Sequence, residues 1–345
     1  MRLAAIFSVL ACGVTAAMWL RVSPVLGNTG YAPAIGLVAG ALLCGLLLDR
    51  WSYKAALILG LLLLSGGLWR LVLGPSSPIV IVLTSGALTA GAAMSMVAAN
   101  ALILSSTALS DASALAVLNV VLPVGMLCNP ILSPAAISCA AAILATGSLA
   151  CAVLMPMPPG VPSSQPETAA APRLVVLMAV LALYGVYEGA IWNCLVEFFG
   201  DVKVLEKNDA WLVLSYGVPL GLIVGRIGSA RILTNLTPSR VVRMSALTMV
   251  FAAGLMMQAR SPSAAWMAAF CLGVTMSPVL PSTLAMAFRA VPRVRGLAMG
   301  VVFACGAIGV AASGPAIAGL SQRYTLPMAL LLLPAVSLAM ALISR

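Results

Sequence analysis

Twelve apolar runs, each about as long as a bilayer is thick, leave this chain almost no polar surface to turn towards water. They fall at about 3–20, 31–48, 55–73, 78–104, 114–132, 135–155, 174–199, 209–232, 241–258, 264–287, 297–318 and 326–343. A helix that crosses the hydrocarbon layer needs roughly 20 such residues. Charged residues make up 8% of the 345, against about a quarter in a soluble protein. A water-soluble fold is therefore excluded. Divided by twelve, the length leaves about 29 residues per helix and connection, so no soluble catalytic domain fits beside the bundle.

Composition also narrows the chemistry. Histidine is absent, which removes Ser-His-Asp triads, Cys-His dyads and His-based metal sites. The eight cysteines all sit in apolar stretches with no CxxC pair, and they read as reduced packing residues. No metal, cofactor or enzymatic activity is expected. The net charge of +10 would suggest nucleic acid in a soluble protein. In a bilayer protein it bears on orientation instead.

The stretch from Met155 to Pro172 holds six prolines with Ser163, Ser164, Gln165, Glu167 and Thr168, a composition suited to an aqueous linker. The expected organisation is an N-terminal six-helix half over 1–155, a linker over 156–172 and a C-terminal half over 173–345. With the N-terminus inside, eleven basic residues fall in inner loops and six in outer ones, Arg226 lying within a span. The positive-inside rule then predicts a multi-pass protein of the plasma (inner) membrane with both termini and the linker cytoplasmic. A cleaved signal peptide is the weaker reading of the first run, because eleven further runs need a twelfth partner.

Several motifs have a physical role in such a bundle. After the second run stands Gly45-Leu-Leu-Leu-Asp49-Arg50-Trp-Ser-Tyr-Lys54. Gly45 allows two helices to approach closely, and Asp49 can sit at a helix N-terminus and lock one gating state. Gly221 to Arg231 (GLIVGRIGSAR) repeats this pattern without the acid, carrying Gly225 and Arg226. Further pieces are Ala98-Ala99-Asn100, Leu118-Asn119 with Gly125 and Pro130, Tyr184 to Asn193 (YGVYEGAIWN), Gly273 to Pro281 (GVTMSPVLP) and Arg295-Gly296. Together these resemble the major facilitator superfamily. Within it they are similar to the branch of fucose–galactose–glucose:proton symporter-like sugar permeases, over roughly 80–320. The resemblance implies an all-α membrane fold of twelve helices in two pseudo-symmetric halves, moving a solute with a proton. The chain departs from the branch in an acid-free first run and in the 25 positions between Pro24 and Asp49, so the first two helices are expected to be short.

Glu188 is the one carboxylate near the middle of a run. An acid there is costly while ionised, so it is a functional candidate by default and the expected proton carrier. Tyr184, Glu188 and Trp192 recur at i, i+4 and i+8 and share one helical face. An aromatic beside a carboxylate suits a sugar, although aromatics also simply pack. Asn100, Asn119 and Asn193 offer amides to a solute's hydroxyls; helix–helix hydrogen bonding is the alternative. Candidate solute contacts are thus Asn100, Asn119, Tyr184, Trp192 and Asn193. Candidate gating positions are Gly45, Asp49, Arg50, Gly225 and Arg226. Arg226, about six residues from the inner end of its run, is expected to snorkel to the cytoplasm, away from Glu188.

The reading is a secondary transporter moving a small polar solute, a sugar by resemblance, by alternating access with proton coupling. The expected partners are that solute, a proton and the bilayer, with no nucleic acid, and the chain is expected to be a monomer. Export of amphiphilic compounds and a transport-inactive membrane partner are the alternatives.

Overall fold

A computed structural model describes residues 2–26, 31–74, 77–105, 111–156, 170–201 and 204–344. The expected linker falls for the most part outside them. Ten helices are long and apolar enough to cross a membrane, and two shorter apolar helices bring the described total to twelve. They are α1 (Arg2–Leu26), α2 (Ala32–Arg50), α3 (Tyr53–Val72), α4 (Pro78–Leu104), α5 (Asp111–Met126) and α6 (Pro134–Leu154). Then come α7 (Ala170–Asp201), α8 (Lys207–Ile232), α9 (Pro238–Gln258), α10 (Pro262–Ala290), α11 (Arg295–Arg323) and α12 (Leu326–Ile343). One expectation needs correcting: α1 is 25 residues long, so it is not clipped. The economy comes from the 19 residues of α2 and the five residues that separate it from α1 in sequence.

Local chemistry sets the helix starts. Before α4, α6 and α10 a serine precedes a proline: Ser77-Pro78, Ser133-Pro134 and Ser261-Pro262. Each serine oxygen accepts the backbone N–H three residues on, at 3.3–3.4 Å. The proline, which has no N–H to satisfy, takes the first helical position. Ser52 caps α3 in the same way, accepting from Ala55 at 3.1 Å.

Proline also marks the irregularities. In α8 the residues Val213–Gly217 form a π-helical turn just before Pro219, whose ring clashes with the preceding turn. The helix α10 breaks between Met276 and Val279 at Pro278.

The first six helices pack on one another, α4 against α1, α2 and α3, and α6 against α1 and α3. In the last six, α7 lies against α10, α11 and α12, while α8 and α9 both pack on α10. Two seams join the sets, α2 against α11 and α5 against α8, with α5 also touching α10. Exchanging the first and last six helices converts one seam into the other, the relation expected of a two-fold transporter. Lipid tails do not push helices together, so seams need small residues. Between α7 and α11, a side chain at Gly185 would strike the Gly306 carbonyl and one at Gly309 the Ala182 carbonyl.

Candidate functional site

The helix α7 carries Tyr184, Glu188 and Trp192 on one face about 12 Å long. Its glycines hold that face in place: Gly185 and Gly189 let α11 approach closely, and the Tyr187 hydroxyl donates to the Met249 carbonyl of α9 at 3.1 Å. Tyr184 is buried, whereas Glu188 and Trp192 each keep part of their surface open. The Tyr184 hydroxyl and the Trp192 side chain lie beside the Glu188 carboxyl, one turn away on either side. Even so, the Tyr184 hydroxyl makes no well-formed hydrogen bond.

Arg226 of α8 corrects the snorkelling expectation. It is 1% exposed, and its Nη1 donates to the backbone carbonyl of Asn119 in α5. Helix rise separates the Cα positions of Arg226 and Glu188 in depth. The two charges act on each other without forming an ion pair.

Asn119 carries the polar chain onwards. Its Nδ2 donates to Asn100 Oδ1 of α4 at 2.7 Å and to the Leu115 carbonyl at 2.8 Å. Asn100 Nδ2 in turn donates to the Met96 carbonyl at 2.8 Å. Both asparagines are fully buried. Two atoms of this cluster have no partner, Arg226 Nε and Asn119 Oδ1, and the Tyr184 hydroxyl has only the Glu188 carboxyl beside it. A buried polar atom without a partner costs about 1–3 kcal/mol, which makes this cluster the candidate site.

Not every candidate joins this cluster. Asn193 is exposed and donates to Ser313 of α11 at 3.3 Å, a bond between two helices of the last six. Gly225 faces Ser277 and Val274 of α10, away from both seams. Arg50 is exposed at the end of α2.

Among the described residues five hydrogen bonds join the two sets, and all lie towards the end of the bundle where α1 starts and α12 finishes. Besides Arg226 to Asn119, Ser113 donates to the Ala230 carbonyl at 2.8 Å, and Arg289 of α10 pairs with Asp111 of α5. Asp49 supplies the other two, accepting from the backbone N–H of Gly296 at 2.7 Å and of Leu297 at 2.8 Å. These are the free amides at the N-terminus of α11, where a negative charge is favoured. Gly45 makes the approach possible, because a Cβ there would lie 2.7 Å from the Gly296 carbonyl. Sequence reasoning did not single out Asp111 and Arg289; their opposite charges on two inner loops were the available signal.

Asp49→Asn keeps one acceptor but turns an amide towards the second N–H and removes the charge. For an exposed carboxylate at a helix end, the closed state should lose about two- to fivefold in population. Spin labels at Trp51 and Val294, both exposed, should report a larger long-distance fraction by pulsed EPR. An unchanged distance distribution would show that Asp49 does not hold this end shut.

A bundle of two six-helix sets with a polar cluster buried across their seam defines a membrane transport protein. The chain belongs to the Major Facilitator Superfamily, whose family model matches residues 3–314. It is a transport protein, not an enzyme. No curated protein matches it in sequence. The fold is shared with the E. coli fucose:proton symporter FucP at a TM-score of 0.80 and 15% identity, covering 100% of this chain and 97% of that one. The human organic anion transporter MFSD10 (TETRAN) aligns at 0.81 and 13% identity, covering 100% and 98%. The proton:xylose symporter XylE aligns at 0.73 and 13%, covering 99% and 94%.

Proposed function

We propose that this protein is a secondary active transporter that moves a small polar solute together with a proton, by alternating access between two halves, residues 1–155 and 173–345. The observation that carries the reading is the partly open Glu188 carboxyl. It lies mid-helix beside Tyr184 and Trp192 and is opposed, without contact, by the buried Arg226. An acid kept at that depth and still reachable is suited to load and release a proton. The adjoining aromatic face and the amides of Asn100 and Asn119 suit a hydroxylated solute, and the fold shared with two sugar:proton symporters supports the same class. Asp49, Gly45, Asp111 and Arg289 act as the gate at the end carrying the termini. The positive-inside bias supports a cytoplasmic location for that end.

The test is uptake into proteoliposomes under an imposed pH gradient, with a panel of labelled sugars and hydroxy acids. Glu188→Gln should reduce accumulation to the passive limit, where inside and outside concentrations are equal, while solute exchange continues. Accumulation above that limit in the variant would remove Glu188 from the coupling.

A further inference from the structure

We propose that the solute is a small hydroxylated carboxylate, received by Arg226 when Glu188 takes up its proton, so that one proton and one monoanion cross together. This rests on the transport reading above and specifies the solute class that reading leaves open.

Arg226 makes an uncompensated contact. It is 1% exposed, yet among the described residues the only acceptor its side chain touches is a neutral peptide carbonyl, that of Asn119. Buried guanidinium groups ordinarily sit against carboxylates, because a bare charge in an apolar interior is costly. The charged or titratable groups that act on Arg226 are Glu188 and Tyr184, and those that act on Glu188 are Arg226 and Tyr184. Glu188 therefore balances the cation across a gap. Once Glu188 is protonated that balance is gone, and an entering anion restores it.

The unpartnered atoms specify the anion. Arg226 Nε carries an N–H with no acceptor, and the Tyr184 hydroxyl, set beside the Glu188 carboxyl, loses its anionic neighbour once Glu188 is protonated. The Nε edge of a guanidinium belongs to the planar fork that receives a carboxylate side-on, and a tyrosine hydroxyl adds a further donor. Asn119 Oδ1 is an unpaired acceptor. It would repel a second carboxylate and welcomes a hydroxyl donor instead, so a hydroxy acid satisfies all three atoms. Glu188 and Trp192 are the partly open members, which sets the side of approach. A neutral sugar would leave Arg226 without a counter-charge in the protonated carrier and would move one net charge per cycle. The carboxylate moves none.

The experiment uses the full chain in lipid nanodiscs, titrated calorimetrically with sodium gluconate, sodium lactate and D-glucose at mildly acidic and mildly alkaline pH. Gluconate or lactate should bind wild type more tightly at the acidic pH. Glu188→Gln, which mimics the protonated acid, should bind about tenfold tighter than wild type at alkaline pH and lose the pH dependence. Arg226→Gln should abolish carboxylate binding, and Arg226→Lys should retain a weaker form. The proposal is overturned if neither carboxylate binds wild type or Glu188→Gln, if Glu188→Gln binds no tighter, or if Arg226→Gln binds as wild type does. Should Arg226→Gln fail to fold, the gain in Glu188→Gln still decides. Glucose uptake that is pH-driven and lost in Glu188→Gln, with no carboxylate binding, would sink this inference and keep the coupling reading. Carboxylate binding tightened by Glu188→Gln, without any pH-driven uptake, would do the reverse.

Discussion

Replacing Arg226 with methionine is expected to destabilise the protein by about 3 kcal/mol and to abolish transport. Methionine fills much of the volume of the arginine stem, so packing loss is not the main effect. The effect is electrostatic. The Asn119 carbonyl loses its partner across the seam between α5 and α8, and Glu188 is left without the positive charge that faces it. Thermal unfolding in nanodiscs measures the first consequence and proteoliposome uptake the second. The double variant Glu188→Gln/Arg226→Met should recover a substantial part of the lost stability, because both charges then leave together. Strictly additive losses would show that the two residues do not sense each other.

Gly309→Ala is the second large effect, about 2–3 kcal/mol of overpacking with loss of function. The added methyl group would collide with the Ala182 carbonyl and sit 2.9 Å from the Val186 backbone nitrogen. Both are main-chain atoms, so α7 and α11 must separate. That separation would move Glu188, which lies six residues beyond Ala182 and two beyond Val186 on α7. Two neighbours serve as controls. At Gly306 a Cβ would meet the side chain of Leu181 at 3.0 Å, which can yield, and at Gly314 the nearest atom is Asn193 Nδ2 at 3.9 Å. Gly306→Ala should be mildly destabilising and Gly314→Ala neutral or slightly stabilising, since alanine favours the helix. Equal losses at all three positions in thermal unfolding would contradict this seam.

These three glycines show how far a sequence can be read. As a set they signal close helix packing, but nothing in their spacing separates Gly309 from Gly314. The separation depends on which atoms α7 presents across the seam. Arg226 shows the same limit more sharply. Six residues from the end of an apolar run, an arginine on an isolated helix has every reason to reach back to the interface. In the bundle α5 stands in the way and offers the Asn119 carbonyl, and the side chain turns inwards. Asn100 and Asn119 were legible as amides in apolar surroundings, not as partners of one another 19 positions apart. Asp49 could be read more fully, because an acid closing a glycine-bearing helix before a short turn has few roles other than meeting a helix N-terminus.

The scarcity of charge and the length of the apolar runs were enough to determine a twelve-helix membrane bundle in two sixes with one acid deep in a span. Every span must satisfy its own backbone inside the hydrocarbon layer, and that requirement is local, so it is written run by run along the chain. Which side chains meet was decided by the tertiary structure alone. The Arg226–Asn119–Asn100 chain, its position opposite Glu188, and the Asp111–Arg289 closure each join helices from distant parts of the sequence. A polar group buried at such a meeting takes its partner, its charge balance and its unfilled hydrogen bonds from the helix that packs against it, not from its own neighbours in the chain.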